Sequence, residues 1–279
     1  MARAHGAPPA GRVIFVSAGP GAADLITLRG ARALSQADVV LADALADPAL
    51  RDFAPQARWL AVGKRGFEHS AKQTEINALL VKTARENARV VRLKGGDASV
   101  FGRLEEELKA LAEAGIACEV VPGVTAALAA AAEAKRPLTR RGRGRSVSLT
   151  TAMTEAGDLQ AARSADTEVF YMAGRQLAAL GRQLLAAGWA PDTPALVVSR
   201  AGCADAIVTD HAVADLARAA LLHRGRPTVV TVGTGAGLVA DQGLPTAAPH
   251  KIAVSPETTP AHSPPTAPMR APLTAKSSS

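Results

Sequence analysis

The sequence predicts an α/β protein built as two domains, and three observations carry that expectation. Short β-branched runs recur along the chain with helix-forming stretches between them. A basic, glycine-rich and proline-bearing segment at residues 135 to 145 interrupts the rhythm, which then restarts. The 279 residues suffice for two compact units, since domains commonly hold about 100 to 150 residues.

Taken in order, residues 1 to 11 and 241 to 279 are small, polar and rich in proline. Such segments cannot bury enough apolar surface to offset their ordering entropy, so both are expected to be disordered. The expected domains are then residues 12 to 137 and 138 to 240. In the first, VIFVSA from residue 13, DVVLA from 38, RWLAVG from 58, RVVRL from 89 and CEVV from 118 read as strands. Lys72 to Asn87 places Ile76, Leu79, Leu80 and Thr83 on one face, with Lys82, Arg85 and Glu86 elsewhere, as a half-buried helix requires. A further helix is expected after FGRLEEE enters at Phe101, and another in the alanine-rich TAALAAAAEA, with Thr125 at its N-cap. In the second domain SVSLTT from 146, EVFYMA from 168, ALVVS from 195, AIVTD from 206 and PTVVTV from 227 read as strands. GTGAG at 233 to 237 follows a strand with little helix-forming sequence beyond it, and reads as a terminal loop.

Composition narrows the function. The 32 basic and 25 acidic residues leave a net charge of +7, a field that attracts nucleic acid, anionic lipid or a polyanionic small molecule. Aromatic residues make up only 3%, too few for the stacking platforms of single-strand binding, which argues against nucleic acid. Cys118 and Cys203 lack paired spacing, so neither a disulfide framework nor a zinc site is expected, and no metal is assigned. The first residues lack the apolar core of a signal peptide, and no apolar run is long enough to span a bilayer. The expectation is a cytoplasmic protein with no membrane partner.

Two glycine turns stand out. SAGPG, Ser17 to Gly21, ends the first strand, and Gly95-Gly96-Asp97 ends the strand RVVRLK. Glycines at a strand end let the backbone approach a ligand closely, although plain connectors use them too. Asp97 would present a carboxylate to that ligand, or would cap the helix carrying FGRLEEE. SAGPG is not GxGxxG, so the turn is not a dinucleotide fingerprint.

The motifs become specific together. SAGPG, DLITLRGARALSQADVVLADAL, VGKRG at 62, QTEIN at 73, LKGGD at 93, VFGR at 100, VPGVTAALAA at 121, RPLTRRG at 136 and FYMA at 170 resemble, in order and spacing, the uroporphyrinogen-III C-methyltransferases. The resemblance runs over roughly residues 12 to 235, and VGKRG with QTEIN separates this branch from other tetrapyrrole methylases. It implies the two-domain tetrapyrrole methylase fold, a non-Rossmann class III methyltransferase with its active-site trough between the domains, assembled as a homodimer. It also implies S-adenosylmethionine-dependent methylation of uroporphyrinogen III at C2 and C7, giving precorrin-2 for sirohaem or cobalamin biosynthesis. The alternatives are a methylase of a related corrin precursor, or a tetrapyrrole-binding protein that has lost turnover.

By the same resemblance, contacts to S-adenosylmethionine fall on Pro20, Gly95, Gly96, Asp97, Val100, Thr125, Ala126, Met172, Ala201 and Thr228. Met172 could equally be a core residue. Arg103, Glu106 and Asp43 are the implied catalytic groups, and Arg103 with Glu106 could equally be an i, i+3 surface pair. Lys64, Arg65, Arg103, Arg140 and Arg141, with Arg143 and Arg145 behind them, are the candidates to hold the substrate's carboxylates. The chain departs from the family pattern at Ala98, where proline is usual, at Leu104 and Glu105, where glycines are usual, and at Arg140, a common histidine. These departures surround the acceptor side more than the cofactor turn.

Overall fold

A computed structural model of the chain describes residues 11–62, 73–151, 159 and 161–239. Strands β1 (Arg12–Ser17), β2 (Val39–Ala42), β3 (Arg58–Ala61), β4 (Arg89–Lys94) and β5 (Cys118–Val121) form one sheet in the order β3-β2-β4-β1-β5, with every pairing parallel. Parallel strands need helical crossovers, which cover both faces and explain the near-continuous apolar runs. The crossovers include α1 (Leu28–Ser35), α2 (Gln73–Glu86) and α3 (Leu104–Glu113). On one face Val13, Phe15, Val39, Leu41 and Val90 pack with Leu80 and Ala84 of α2 and Leu111 of α3. On the other, Val16, Val40, Val91 and Leu93 meet Ala33 and Leu34 of α1. The start of α1 is set by Thr27, whose Oγ1 accepts from the Gly30 N–H at 3.1 Å.

The second sheet contains β6 (Val147–Thr151), β7 (Thr167–Tyr171), β8 (Pro194–Ser199), β9 (Ile207–Ala212) and β10 (Thr228–Gly233), in the order β6-β7-β10-β8-β9. Only β6 and β7 pair in parallel. Helix α4 (Ala126–Glu133) lays Ala127, Ala129 and Ala130 on Val169, Tyr171, Leu196, Val198 and Val229. Its small side chains let the helix sit close to the strands. Helices α5 (Leu177–Ala186) and α6 (Leu216–His223) cover the opposite face, packing Leu177, Leu180, Leu184 and Leu216 on Phe170, Val197, Val230 and Val232. Although α4 precedes the basic segment in sequence, its apolar face belongs to the second sheet.

All ten expected strands are present, and the periodic segment at 72 to 87 is α2. Several local expectations differ. Asp97 does not cap α3, which starts at Leu104 with Arg103 at its N-cap in the left-handed region, φ 53°. Thr125 does occupy the N-cap of α4, yet its hydroxyl meets Tyr171 rather than a helix amide. Met172 is not in the core: it is left-handed, φ 59°, and 54% exposed. Gly11, placed in the disordered N-terminus, is buried with its N–H donating to the Ala84 carbonyl at 2.7 Å. GTGAG forms a buried 3-10 turn, Thr234–Ala236, in which the Gly235 N–H donates to Thr167 Oγ1 at 2.8 Å. Among the described residues no helix is long and apolar enough to cross a membrane, and no cluster of histidine, cysteine and carboxylate side chains could hold a metal ion.

Candidate active site

Because every strand of the first sheet runs the same way, the turns that follow β1, β2, β4 and β5 share its carboxyl edge, the usual ligand side of such sheets. There the two glycine turns are bonded to each other. The Gly96 N–H donates to the Gly19 carbonyl at 2.7 Å, and the Gly19 N–H to the Gly96 carbonyl at 3.2 Å. Both residues are left-handed, with φ 82° at Gly19 and 66° at Gly96, which a side chain would disfavour. A Cβ on Gly95 would stand 3.1 Å from the Leu45 Cβ, whereas one on Gly96 would meet nothing within 4 Å. The first glycine therefore makes room for the turn after β2, and the second faces open space.

Asp97 staples this edge. Its Oδ1 accepts from the Ser99 N–H and its Oδ2 from the Gly123 N–H, each at 2.8 Å, tying the turn after β4 to that after β5. Ser17, buried at the end of β1, accepts at Oγ from the Ala98 N–H at 3.0 Å. Proline, the family's usual residue at this position, has no N–H to make that bond.

The second sheet contributes the edge where β7 and β8 end and β10 begins, since Thr228 pairs with Ser199 and Val230 with Phe170. Met172, Ala201 and Thr228 lie along it. The two edges meet: the Ala22 N–H donates to the Gly202 carbonyl at 2.8 Å, and the Phe101 ring lies 5.1 Å from that of Tyr171. The Tyr171 hydroxyl is 2.7 Å from Thr125 Oγ1 and accepts from the Ala127 N–H at 3.3 Å. Val100 and Ala126 pack against the apolar cluster that holds Tyr171 and Ala201. The ten residues assigned to the cofactor are thus gathered where the two sheets join. Leu45, Phe101, Leu128 and Met172 are exposed apolar side chains of the surrounding segments. Phe101, Arg103, Met172 and Arg200, all left-handed non-glycine residues, lie in turns at these edges, a concentration of backbone strain typical of functional sites.

The charged groups divide in two. Asp43, directly after β2, has its Oδ1 2.6 Å from Arg92 Nη2. Arg92 Nε donates to Glu107 Oε1 at 2.9 Å, and Lys94 Nζ to Glu107 Oε2 at 2.8 Å. The side chains of Arg92, Lys94 and Glu107 are 2%, 3% and 0% exposed, against 31% for Asp43. Burial first, then the neighbouring Arg92, lowers the Lys94 ammonium below the usual lysine value. Farther out, Arg103 grips Glu106 through two hydrogen bonds of 2.7 and 2.8 Å. Those bonds hold the Glu106 carboxyl below its ordinary range, so it stays ionised near neutrality and is a weaker proton acceptor than a free carboxylate.

Arg140 is placed elsewhere. Its guanidinium donates to the carbonyls of Gly237 and Leu238, at the end of the second sheet where Gly233 pairs with Thr167. That is the opposite end from Tyr171, so Arg140 and the exposed Arg141 do not stand beside the glycine turns. Arg140 and Arg143 instead border a separate groove of about 500 Å³ with Arg163 and Trp189. Lys64 and Arg65 lie outside the described residues. Residue reasoning missed Arg92, Lys94, Glu107 and Tyr171. A signal existed for the first two: charges at alternate positions of an otherwise apolar strand share one face.

The model of the tetrapyrrole (corrin/porphyrin) methylases matches residues 12 to 217. The uroporphyrinogen-III C-methyltransferase of Pseudomonas aeruginosa is 46% identical over 195 residues, covering 68% of this chain and 80% of that protein. Siroheme synthase 1 of Pectobacterium atrosepticum is 47% identical over 196 residues, and the match spans only 41% of its length. The crystal structure of uroporphyrin-III C-methyl transferase from Thermus thermophilus complexed with S-adenyl homocysteine superimposes with a TM-score of 0.71 at 36% identity, covering 80% of this chain and 97% of that one. Sequence match and overall architecture agree, and the chain belongs to the tetrapyrrole (corrin/porphyrin) methylase family.

Proposed function

We propose that the protein transfers methyl groups from S-adenosylmethionine to C2 and C7 of uroporphyrinogen III, yielding precorrin-2 for sirohaem or cobalamin biosynthesis. The observation that carries this reading is the hydrogen-bonded Gly19–Gly96 pair with open space at Gly96, set where the two sheets meet. The relatives' names point to the same acceptor.

The residues at this junction suit an amphipathic zwitterion. The glycine turns offer main-chain groups with no Cβ in the way, and Asp97 keeps lone pairs beyond its two backbone bonds. Val100, Ala126, Met172 and Ala201 supply apolar surface, while Thr125 and Thr228 supply hydroxyls. S-adenosylmethionine, when bound, supplies the methyl group, whose transfer to an electron-rich pyrrole carbon obliges the ring to release a proton. Asp43 is the acceptor we assign: Oδ1 is held by Arg92, and Oδ2 has no protein hydrogen bond among the described residues. Arg103 would exchange its fork on Glu106 for a substrate carboxylate, and Lys64 and Arg65 remain candidates for the same role from the sequence. Positioning of this kind can lower a barrier by about 7 to 11 kcal/mol. A homodimer, a cytoplasmic location and a domain division near residue 137 belong to the same proposal.

The test is incubation with freshly reduced uroporphyrinogen III and methyl-labelled S-adenosylmethionine, followed by mass analysis of the macrocycle. Two added methyl groups are expected. Donor binding with no label in the macrocycle would overturn the reading in favour of a binding protein.

A further inference from the structure

We infer that Arg92 is a positioning residue for methyl transfer, acting through Asp43 as the buried end of the chain Lys94–Glu107–Arg92–Asp43. The inference rests on the functional reading above, which makes Asp43 a proton acceptor.

The buried members of this chain are poorly explained by stability. Replacing a buried ion network with packed apolar residues is often neutral or stabilising, so three charged side chains under the sheet need another reason. Geometry supplies one. Arg92 Nη1 donates to the carbonyls of Leu41 at 3.3 Å and Leu93 at 3.1 Å. Its Nε bonds Glu107 Oε1, and Nη2 lies 2.9 Å from that oxygen while donating to Asp43 Oδ1 at 2.6 Å. Every nitrogen of the planar fork is therefore engaged, and the guanidinium has no freedom to turn. Glu107 is fixed in turn by Lys94 at 2.8 Å. The backbone of Asp43 is held as well, its N–H donating to the Leu93 carbonyl at 3.0 Å. One carboxylate oxygen is thus clamped by a rigid buried group, and the other, with no hydrogen bond among the described residues, is assigned to the acceptor ring, beside the turn whose Gly95 abuts Leu45. A lysine at position 92 would keep the charge but lose the fork.

The experiment measures kcat, KM for uroporphyrinogen III and calorimetric donor affinity in the wild type, R92K, D43N and R92K/D43N. The expected result is a kcat loss of about tenfold or more in R92K with donor affinity unchanged, and no further loss when R92K is added to D43N. A purely structural role would make the two losses multiply, and that outcome overturns the inference, as does R92K with wild-type kcat. Should R92K fail to fold, E107Q preserves the side-chain shape while weakening the clamp. A smaller kcat loss that again disappears in the D43N background supports the inference, and a loss that multiplies overturns it. A wild type that transfers no methyl overturns the functional reading and the positioning role together, whereas an active wild type beside an equally active R92K removes only the positioning role.

Discussion

Asp97 shows how one residue can serve fold and ligand together. Its carboxylate already accepts two backbone N–H groups, so the proposed contact to the donor must use the lone pairs that remain. Asp97→Asn keeps one acceptor but turns the other toward an N–H donor. Donor affinity measured by calorimetry is expected to fall about tenfold or more, with a lower melting temperature, because bonds to a charged acceptor contribute about 1.5 to 3 kcal/mol. Unchanged affinity would remove Asp97 from the cofactor site. Arg103 behaves oppositely. Its pair with Glu106 is solvent-exposed and contributes little to stability, so the main effect of Arg103→Ala is expected on turnover. Its kcat/KM for uroporphyrinogen III is expected to fall about 10 to 100-fold with donor binding intact; full turnover would exclude it from the mechanism.

At the scale of elements, the glycines separate packing from binding. A Cβ on Gly123 would lie 2.5 Å from the Ser17 Cβ and 3.0 Å from the Ser17 carbonyl oxygen, where β1 and the turn after β5 press together. Gly123→Ala should therefore destabilise the protein by about 1 to 3 kcal/mol, read from urea unfolding. Gly96→Ala meets no neighbour, so its penalty is the left-handed backbone, about 1 to 2 kcal/mol. The added methyl enters the space assigned to the donor, and donor affinity should fall more than stability does. Equal donor affinity in Gly96→Ala and wild type would place the donor elsewhere. The strands and α2 were legible because their apolar periodicity is local. The role of Asp97 was not, since the Gly123 N–H it holds lies 26 residues away along the chain.

For the molecule as a whole, the second sheet carries a pH-sensitive group remote from the glycine turns. His223 is fully buried at the end of α6, with Nε2 2.8 Å from Thr209 Oγ1 and no hydrogen-bond partner for Nδ1. Burial first, then His211 and Arg226, pushes it from the usual 6.5 down to about 4. The unfolded chain takes up this proton first as pH falls. The stability that this neutral histidine contributes is therefore complete above about pH 6.5, declines toward pH 4 by on the order of 3 kcal/mol, and changes no further below. Urea midpoints from pH 7.5 to 4 should show that decline, and His223→Leu should flatten it; an equally steep profile in the variant would assign the decline to other groups.

The sequence by itself determined the α/β class, the ten strands, and the family through motifs whose order and spacing are properties of the chain. Tertiary structure decided which of those motifs share a site. Parallel pairing carried the turns after β1, β2, β4 and β5 to one edge, and the second sheet's register put Met172, Ala201 and Thr228 against it while sending Arg140 to the far end. It also decided that Arg92, Lys94 and Glu107 form a buried clamp on Asp43. Periodicity is set by neighbours a few residues apart, whereas a site is set by strand order and direction, which only the packing of distant segments resolves.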